Sequence, residues 1–447
     1  MNRTDYPRVL VVSHAVFSDT TNTGITLSAF FQQWDPQAVA QLFFHSELPS
    51  SEGCQSYFRI TDFDALRNVL CRSQCGRMVS KEEAEKIGDR PAAGPSPSQQ
   101  VIYEFGRRKH PSTILARDTI WRLARWRSPA LERWVDEFSP EVVFLAAGAY
   151  RFAYDIGRHI AESRRLPLVV FIGDDVYNIC SFSLSPLFWL EKILIRKTMR
   201  QTLRRAACFL STCDMMAEEY GRAFGIRYAS LPVSCPAFAP SPQVREETPL
   251  TMSYIGNVLY FRRWTTLRRI GESLAKINRG GTKAVLNIFS TERLNPRMLA
   301  LLTIDGTMAF KGSLTGPEVQ KVISDSDVLV HVESMDKVNR RLTRLSFSTK
   351  IPQYLAGGKC LLAVGPEEVA SLRYLRDHRV GLVVTDMKLL EEELARLLGD
   401  RALRQQYAAN ALRIAHERHD AHTNSHRFAE LMREITAKGQ GPPGISA

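Results

Sequence analysis

The sequence predicts an α/β protein made of two Rossmann-like domains, each built around a doubly wound parallel sheet. Three observations lead to this prediction. Short runs that are apolar at nearly every position alternate with longer amphipathic stretches, as in repeated strand–helix–strand units. The chain has 447 residues, more than a domain with a single hydrophobic core usually has. This length fits two domains of roughly 200 residues each. A proline-rich stretch interrupts the alternation near the middle of the chain.

The apolar runs in both halves are predicted as strands. They cover 9–13, 39–45, 142–147, 168–172, 207–211 and 228–232 in the first half, and 250–256, 284–289, 308–311, 327–333, 359–365 and 381–385 in the second. Because most are apolar on both faces, they fit a parallel sheet that helices cover on both sides. The amphipathic stretches between them, such as 128–138 and 190–205, are predicted as those helices.

Composition then divides the chain into segments. We predict an N-terminal domain at 1–235 with a mobile insertion at about 71–111, a linker at 236–249, a second domain at 250–388, C-terminal helices at 389–438 and a disordered tail at 439–447. The insertion is predicted from the polar, Pro- and Ser-rich sequence PAAGPSPSQQ. The linker is predicted from its prolines, and the tail from GQGPPGISA.

Charge and cysteine content limit the partners and the compartment. The formal net charge of +12 calls for an anionic partner, and nucleotide, phospholipid surface and nucleic acid all satisfy it. No run of eighteen apolar residues and no signal-peptide pattern occurs, so we expect a cytoplasmic protein. The eight scattered cysteines are expected to be reduced structural thiols.

Polar residues follow two strands of the first half, where ligands collect in open parallel sheets. The loop DTTNTG, ending at Gly24, follows the first strand and can bring backbone amides to a phosphate or a sugar hydroxyl, although a plain turn explains it equally well. Asp174 and Asp175 follow the strand at 168–172. They can hold a sugar hydroxyl, a cation or a proton, or simply stabilise a helix N-terminus.

The second half places two arginines where a helix begins. Gly256 and Asn257 end the strand at 250–256, and Arg262 and Arg263 follow at a predicted helix start. Arginine at this end of a helix opposes the helix dipole. An anionic ligand there would explain both side chains, and an ordinary solvated pair is the alternative.

A second candidate anion site begins after the strand at 327–333, which ends in Glu333. Farther on, Ser348 or Thr349 is predicted to cap a short helix that presents Lys350, with Pro352 in its first turn and Gly357-Gly358 at its end. Hydroxyls, amides and an ammonium group together suit a diphosphate. Every capped helix shares part of this pattern.

Other ligand classes have less support. Neither GxxxxGK[ST] nor GxGxxG occurs, which argues against an ordinary nucleoside triphosphatase or NAD enzyme. The histidines at 416–426 flank a polar helix end, so we expect no metal site there.

Three segments, in this order, resemble the nucleotide-sugar domain of retaining glycosyltransferases of family 4, also called glycosyl transferases group 1. They are YIGNVLYFRRW at 254–264, FKGSLTGPEVQKVISDSDVLVHVES at 310–334 and SFSTKIPQYLAGGKCLLAVG at 346–365. The first half is similar more loosely, through LVVFIGDD at 168–175 and STCDMMAEEYGRAFG at 211–225. The resemblance implies the GT-B fold, with two Rossmann-like domains facing each other across a cleft.

The resemblance also implies roles for individual residues. Arg262 falls where such enzymes usually have a lysine on the donor diphosphate, Glu333 lies near the first glutamate of their paired-glutamate motif, and Gln353 replaces the second, which binds the ribose. The chain departs from the family at Asn257, where arginine is common, and at Gly173, where many relatives have a histidine. The resulting site prediction has catalytic residues Asp174, Arg262 and Lys350, donor-binding residues Gly24, Gly256, Asn257, Arg263, Glu333, Ser348, Thr349 and Gln353, and no metal.

The implied activity is transfer of a hexose from a nucleotide-diphosphate sugar to a glycan or lipid-linked acceptor, with retention, in bacterial polysaccharide or envelope biosynthesis. No cofactor, metal or nucleic acid is expected. The basic stretch at 107–134, with Trp121 and Trp126 among arginines, is predicted to lie on an anionic membrane or to be a helix packed on the first sheet. A nucleotide-sugar epimerase of the same fold and a non-catalytic sugar- or nucleic-acid-binding relative are the rival hypotheses.

Overall fold

The computed structural model describes residues 6–18, 22–51, 53–79, 110–235, 237–239, 241, 244 and 249–438. The chain forms two compact units. The first comprises Met1–Leu231 together with His422–Ala447, and the second comprises Pro232–Ala421. This division differs from the predicted one, because the C-terminal helices predicted at 389–438 are shared between the two units.

An eight-stranded sheet forms the centre of the first unit. Its strands are β1 (Val9–Ser13), β2 (Val39–Phe43), β3 (Ser56–Arg59), β4 (Arg77–Val79), β5 (Val142–Ala146), β6 (Leu168–Phe171), β7 (Cys208–Ser211) and β8 (Tyr228–Ser230). The order is β4-β3-β2-β1-β5-β6-β7-β8, and every pair is parallel except β3 with β4. The strand order therefore reverses between β1 and β5, because β2 to β4 lie on one side of β1 and β5 to β8 lie on the other.

A six-stranded parallel sheet forms the centre of the second unit. Its strands are β9 (Leu250–Ile255), β10 (Ala284–Phe289), β11 (Met308–Gly312), β12 (Val328–Val332), β13 (Cys360–Val364) and β14 (Gly381–Val384). Their order is β11-β10-β9-β12-β13-β14, so here the direction changes between β9 and β12. Crevices that bind ligands in open α/β sheets form at the carboxyl ends of the strands beside such a reversal.

Helices cover both sheets. Those of the first unit are α1 (Asn22–Phe31), α2 (Asp62–Cys71), α3 (Pro111–Leu123), α4 (Pro129–Phe138), α5 (Arg151–Arg164), α6 (Pro186–Leu203) and α7 (Asp214–Phe224). Those of the second are α8 (Trp264–Ile277), α9 (Pro296–Leu301), α10 (Gly316–Asp325), α11 (Lys337–Thr343), α12 (Lys350–Ala356), α13 (Ala370–Asp377), α14 (Leu390–Gly399) and α15 (Arg401–His419). The last helix, α16 (Ala421–Lys438), buries Phe428 and Met432 in the core of the first unit.

The structure describes parts of the predicted insertion and of the predicted linker. Residue 71 ends α2, and 77–79 form β4 against β3, while 80–109 and the predicted tail at 439–447 lie outside the described residues. In the predicted linker, the amide of Ala239 donates to the carbonyl of Ala356. Cys235, the last residue before the predicted linker, forms an isolated β-bridge with Asp420. These described parts of the linker are thus bonded to the second unit.

The tryptophans of the basic stretch pack inside the first unit, so the predicted membrane contact by Trp121 is wrong. Trp121 is 1% exposed, stacks on Phe152 with ring centroids 3.9 Å apart, and donates from Nε1 to Asp62 at 2.6 Å. Trp126 is partly buried against His159. The structure favours the alternative, a helix packed on the first sheet, because α3 buries Trp121 with its ring centroid 5.4 Å from that of Phe44, which follows β2.

The eight cysteines are all free thiols. Within the described part of the chain, none of the helices has the length and apolar content needed to cross a membrane.

Candidate functional site

The loop after β9 begins at a glycine that the packing requires. The buried Tyr254 hydroxyl donates to the Asn257 carbonyl at 2.7 Å, and a Cβ at Gly256 would come within 2.9 Å of that hydroxyl oxygen. The backbone of Gly256 can therefore lie directly over the tyrosine. This close approach fixes how the chain leaves the sheet toward Arg262 and Arg263.

A carboxylate from the neighbouring strand holds the same loop. Glu292, which follows β10, accepts hydrogen bonds from the backbone amides of Leu259 at 2.9 Å and Tyr260 at 3.3 Å, and from that of Val258. Successive amides pointing at one anion form a nest. Sequence reasoning missed Glu292, because a lone acidic residue after a strand carries no spacing signal.

The loop then turns through two strained residues. Phe261 and Arg262 both have φ of 56°, a left-handed conformation that costs non-glycine residues about 1–3 kcal/mol each. The amide of Arg262 donates to the carbonyl of Leu259 at 2.9 Å, and that of Trp264 donates to the carbonyl of Val258 at 2.9 Å. These bonds maintain the strain and determine where Arg262 and Arg263 lie.

Arg263 and Glu333 form a buried bidentate ion pair at the reversal point of the sheet. The Arg263 Nη2 lies 2.8 Å and 3.0 Å from the two Glu333 carboxylate oxygens, and Nε lies 3.2 Å from Oε2. The two side chains are 17% and 3% exposed. Burial raises the pKa of Glu333, and the guanidinium of Arg263 works against that rise. The paired geometry is that of a charged carboxylate and guanidinium.

Contacts of the Glu333 backbone also fix the position of this residue. Its amide donates to the Val364 carbonyl at 2.9 Å, and its own carbonyl accepts the Thr266 hydroxyl at 2.9 Å. A Cβ at Gly365 would lie 2.9 Å from the Cβ of Glu333. Glu333 is therefore placed to hold Arg263, and its predicted contact with the donor stays a prediction.

Lys350, at the start of α12, contributes a second cation. Tyr354 on the same helix exchanges hydrogen bonds with the backbone of Ile255 at 3.2 Å and 3.3 Å, which fixes α12 beside the end of β9. Burial, and then the charge of Arg263, lowers the pKa of Lys350. The structure thus brings together Arg263, Glu333 and Lys350 from three separate parts of the sequence.

A neutral histidine lies against this cluster. His331 is buried on β12, its Nε2 lies 3.6 Å from Oε1 of Glu333, and that nitrogen has no hydrogen-bond partner. Burial, followed by the charges of Arg263 and Lys350, lowers the pKa of His331 to about 3. The ring is therefore neutral near pH 7, and the cluster carries two cations against one carboxylate.

His331 should make folding sensitive to acid. The unfolded chain takes up a proton near pH 6.5 and the folded chain only near pH 3, so stability is lost as pH falls through this window. At about pH 5 the loss amounts to about 2 kcal/mol. We expect His331→Leu to reduce the drop in melting temperature between about pH 7.5 and about pH 5. An unchanged drop would show that His331 does not cause it.

Four of the other predicted residues of the second unit, Arg262, Asn257, Thr349 and Gln353, have exposed side chains. Thr349 occupies the N-cap position but makes no side-chain capping bond, and instead the hydroxyl of Ser348 accepts the Lys350 amide at 3.4 Å.

Two residues of the first unit, Gly24 and Asp174, were predicted as site residues. Gly24 was predicted to end a loop, but α1 begins at Asn22, so Gly24 lies in the first helical turn. Residues 19–21 of that loop lie outside the described residues. Asp174 is exposed after β6, and its role stays a prediction. The neighbouring Asp175 accepts the Tyr220 hydroxyl at 2.6 Å and the Asn178 amide at 3.1 Å, which makes it structural.

Sequence reasoning missed a cluster at the reversal point of the first sheet. His14 follows β1, His45 follows β2 and Tyr150 follows β5. The ring of His14 stacks on Tyr150 with centroids 3.7 Å apart, and the Arg117 guanidinium lies 4.7 Å from the centre of the same tyrosine ring. Burial, then the charges of His45 and Arg117, lowers the pKa of His14 to about 3. The signal was available, since each residue lies within a few positions of a strand end.

Metal ligands are not grouped in the part of the chain that the structure describes, where no three His, Cys, Asp or Glu side chains lie together as a potential site. In the histidine-rich segment, His419 is buried and bonded to the Tyr374 hydroxyl at 2.8 Å and the Val233 carbonyl at 2.7 Å.

Many solved structures share this fold, and three of them illustrate the likeness. Sucrose-phosphate synthase from Thermosynechococcus elongatus has a TM-score of 0.60 at 11% identity, covering 96% of this chain and 99% of that one. HepE from Anabaena, in complex with UDP, has a TM-score of 0.59 at 11% identity, covering 96% and 100%. WaaG, a glycosyltransferase involved in lipopolysaccharide biosynthesis, has a TM-score of 0.51 at 13% identity, covering 95% and 99%.

Family models match both halves of the chain, whereas no curated protein matches its sequence. A glycosyl transferase 4-like domain matches residues 82–233, and a glycosyl transferase-like model matches residues 255–433. The first match includes strands β5 to β8, and the second includes strands β10 to β14. The two parallel-sheet units are the two domains of the GT-B fold, and the chain belongs to the group 1 glycosyltransferases.

Proposed function

We propose that the protein moves a hexose from a nucleotide-diphosphate sugar, first among them a UDP-sugar, to a glycan or lipid-linked acceptor. The observation that carries the proposal is the cluster of Arg263, Lys350 and Glu333 at the reversal point of the second sheet. Two cations against one carboxylate leave an excess of positive charge, which a diphosphate would balance. The UDP in the HepE structure supports uridine as the first nucleotide to test.

In the proposed mechanism the cations stabilise the leaving group. As the sugar–phosphate bond breaks, negative charge grows on the diphosphate, and Arg263 and Lys350 would already be in position to balance it. This arrangement supplies by side chains what a metal ion supplies in other transferases. Arg262, on the same strained loop, would reach the outer phosphate oxygens. The resemblance to retaining enzymes supports retention at the anomeric carbon, with the departing phosphate assisting.

For the acceptor, we propose the first unit. His14, Tyr150 and Arg117 offer rings, a hydroxyl and a cation at the sheet's reversal point, and Asp174 offers a carboxylate at a neighbouring strand end. The likeness to WaaG supports a role in bacterial envelope or polysaccharide synthesis. We propose a cytoplasmic enzyme that contacts an anionic membrane, where a lipid-linked acceptor resides.

The experiment is turnover of UDP-sugars by the purified chain, with and without a membrane extract as acceptor. Release of UDP and transfer of label to the extract, unaffected by EDTA, support the proposal. Conversion of UDP-N-acetylglucosamine without an acceptor would instead identify an epimerase. Salt-sensitive binding to random DNA, together with no binding of any nucleotide, would favour the non-catalytic relative.

A further inference from the structure

A cluster of exposed apolar side chains lies before and along the first half of α6. Phe182, Leu184, Leu187, Leu190 and Ile193 are 78%, 90%, 42%, 46% and 60% exposed. Among the residues that the structure describes, fifteen large apolar side chains are exposed, and these five lie within twelve consecutive positions. Scattered exposed side chains are normal in soluble proteins, whereas a contiguous group marks an interaction surface.

The packing of α6 and of the loop before it keeps these five apolar side chains on the surface. The opposite face of α6 is buried through Ile195, Met199 and Leu203, so the exposed face cannot turn inward. The indole of Trp189 donates to the Ser183 carbonyl at 2.7 Å and thereby fixes the loop that carries Phe182 and Leu184.

Basic residues follow the apolar ones along the same face of α6. Leu187, Leu190, Ile193, Lys197, Arg200 and Arg204 follow one another at intervals of three or four residues, so they line one side of the helix. The first half of this stripe is apolar and the second half is cationic.

The charges in this segment are almost all of one sign. Between residues 178 and 205 the sequence has six Lys or Arg residues and one acidic residue, Glu191. Glu191 is buried and pairs with Lys192 at 3.2 Å. A protein partner would have to match an apolar end and a strongly basic end of one helix, whereas an anionic lipid surface offers acyl chains and phosphate groups along its whole plane.

We infer that this surface, residues 182–204, docks onto an anionic phospholipid membrane, with Phe182, Leu184 and the start of α6 in the headgroup region and Lys197 and Arg204 on lipid phosphates. The inference rests on the proposed function in one respect, the membrane-bound acceptor. Asp174 lies only eight residues before Phe182. Docking here would therefore bring the end of β6 close to the lipid surface.

The test is co-sedimentation of the full chain with vesicles of phosphatidylcholine alone and vesicles that also contain phosphatidylglycerol. We expect binding to the anionic vesicles only, weakened by salt. Leu184→Ser with Ile193→Ser, and separately Lys197→Gln with Arg204→Gln, should each weaken binding about tenfold or more. Matched pairs elsewhere, Leu299→Ser with Leu389→Ser and Arg279→Gln with Arg297→Gln, should not.

Several results would overturn the inference: no binding to anionic vesicles, equal binding to both kinds, or equal loss in the matched pairs. Self-association that the α6 variants abolish, without vesicle binding, would assign the surface to a second copy of the chain. Nucleotide-induced stabilisation serves as the folding control. Vesicle binding without nucleotide binding would contradict the proposed function alone, and UDP turnover without vesicle binding would contradict the docking surface alone.

Discussion

Glu333→Gln is expected to abolish detectable nucleotide binding and to lower the free energy of unfolding by about 3–5 kcal/mol. The substitution keeps the shape of the side chain but removes the charge that Arg263 contacts at 2.8 Å and 3.0 Å. A buried guanidinium without its carboxylate is costly, so the loop carrying Arg263 should shift. Denaturant unfolding and UDP titration calorimetry measure the two effects.

A matched control and a double variant separate structure from binding. Glu272→Gln removes the carboxylate of the partly exposed Arg268–Glu272 pair and should cost less than about 1 kcal/mol. Arg263→Met combined with Glu333→Leu removes both buried charges, and such replacements are often neutral or stabilising. We expect this double variant to regain stability without regaining nucleotide binding. If it binds UDP as the wild type does, Arg263 is not a donor ligand.

Lys350→Ala is expected to lower kcat/KM by about 100- to 1,000-fold, the usual effect of removing one group that stabilises transition-state charge. Lys350→Arg should recover part of this loss, because it returns the charge with a different shape. Lys337→Ala, which removes an exposed lysine from α11, is the control and should leave the rate unchanged. Steady-state kinetics with saturating acceptor measures all three.

The same lysine predicts the alkaline limit of activity. Because burial and Arg263 lower the pKa of Lys350, its ammonium group loses its proton at a lower pH than an exposed lysine does. Activity that depends on the charged form should therefore fall as pH rises through this lowered pKa. Lys350→Arg should move the fall to higher pH. An alkaline limit that is identical in the two proteins would rule out Lys350 as the titrating group.

The strands were largely predictable, because apolar runs on both faces are a direct consequence of burial in a parallel sheet. Each predicted run matches a strand, and its ends agree with those of the strand to within two residues. Two strands were missed, β3 and β4, with four and three residues. Such short segments carry too few positions for periodicity, and β4 has two exposed residues of three.

The site was predictable only where local chemistry gave a reason. Arg263 was identified because an arginine at a helix start opposes the dipole, and Lys350 because it begins a short helix after a serine. Glu292 and His331 were not, since their importance depends on contacts with the loop after β9 and with Glu333. The prediction for Trp121 was wrong because the neighbouring arginines suggested an exposed, membrane-binding side chain. The ring of Trp121 is instead stacked on Phe152.

The central claim is that the cluster around Arg263 and Lys350 binds the diphosphate of a nucleotide-sugar donor. Thermal unfolding of the purified protein with UDP, GDP, ADP and CMP tests it most directly, because a ligand that binds only the folded state raises the melting temperature. We predict a clear rise with UDP, absent in Lys350→Ala and retained in Lys337→Ala. No rise with any of the four nucleotides would contradict the assignment of the donor site.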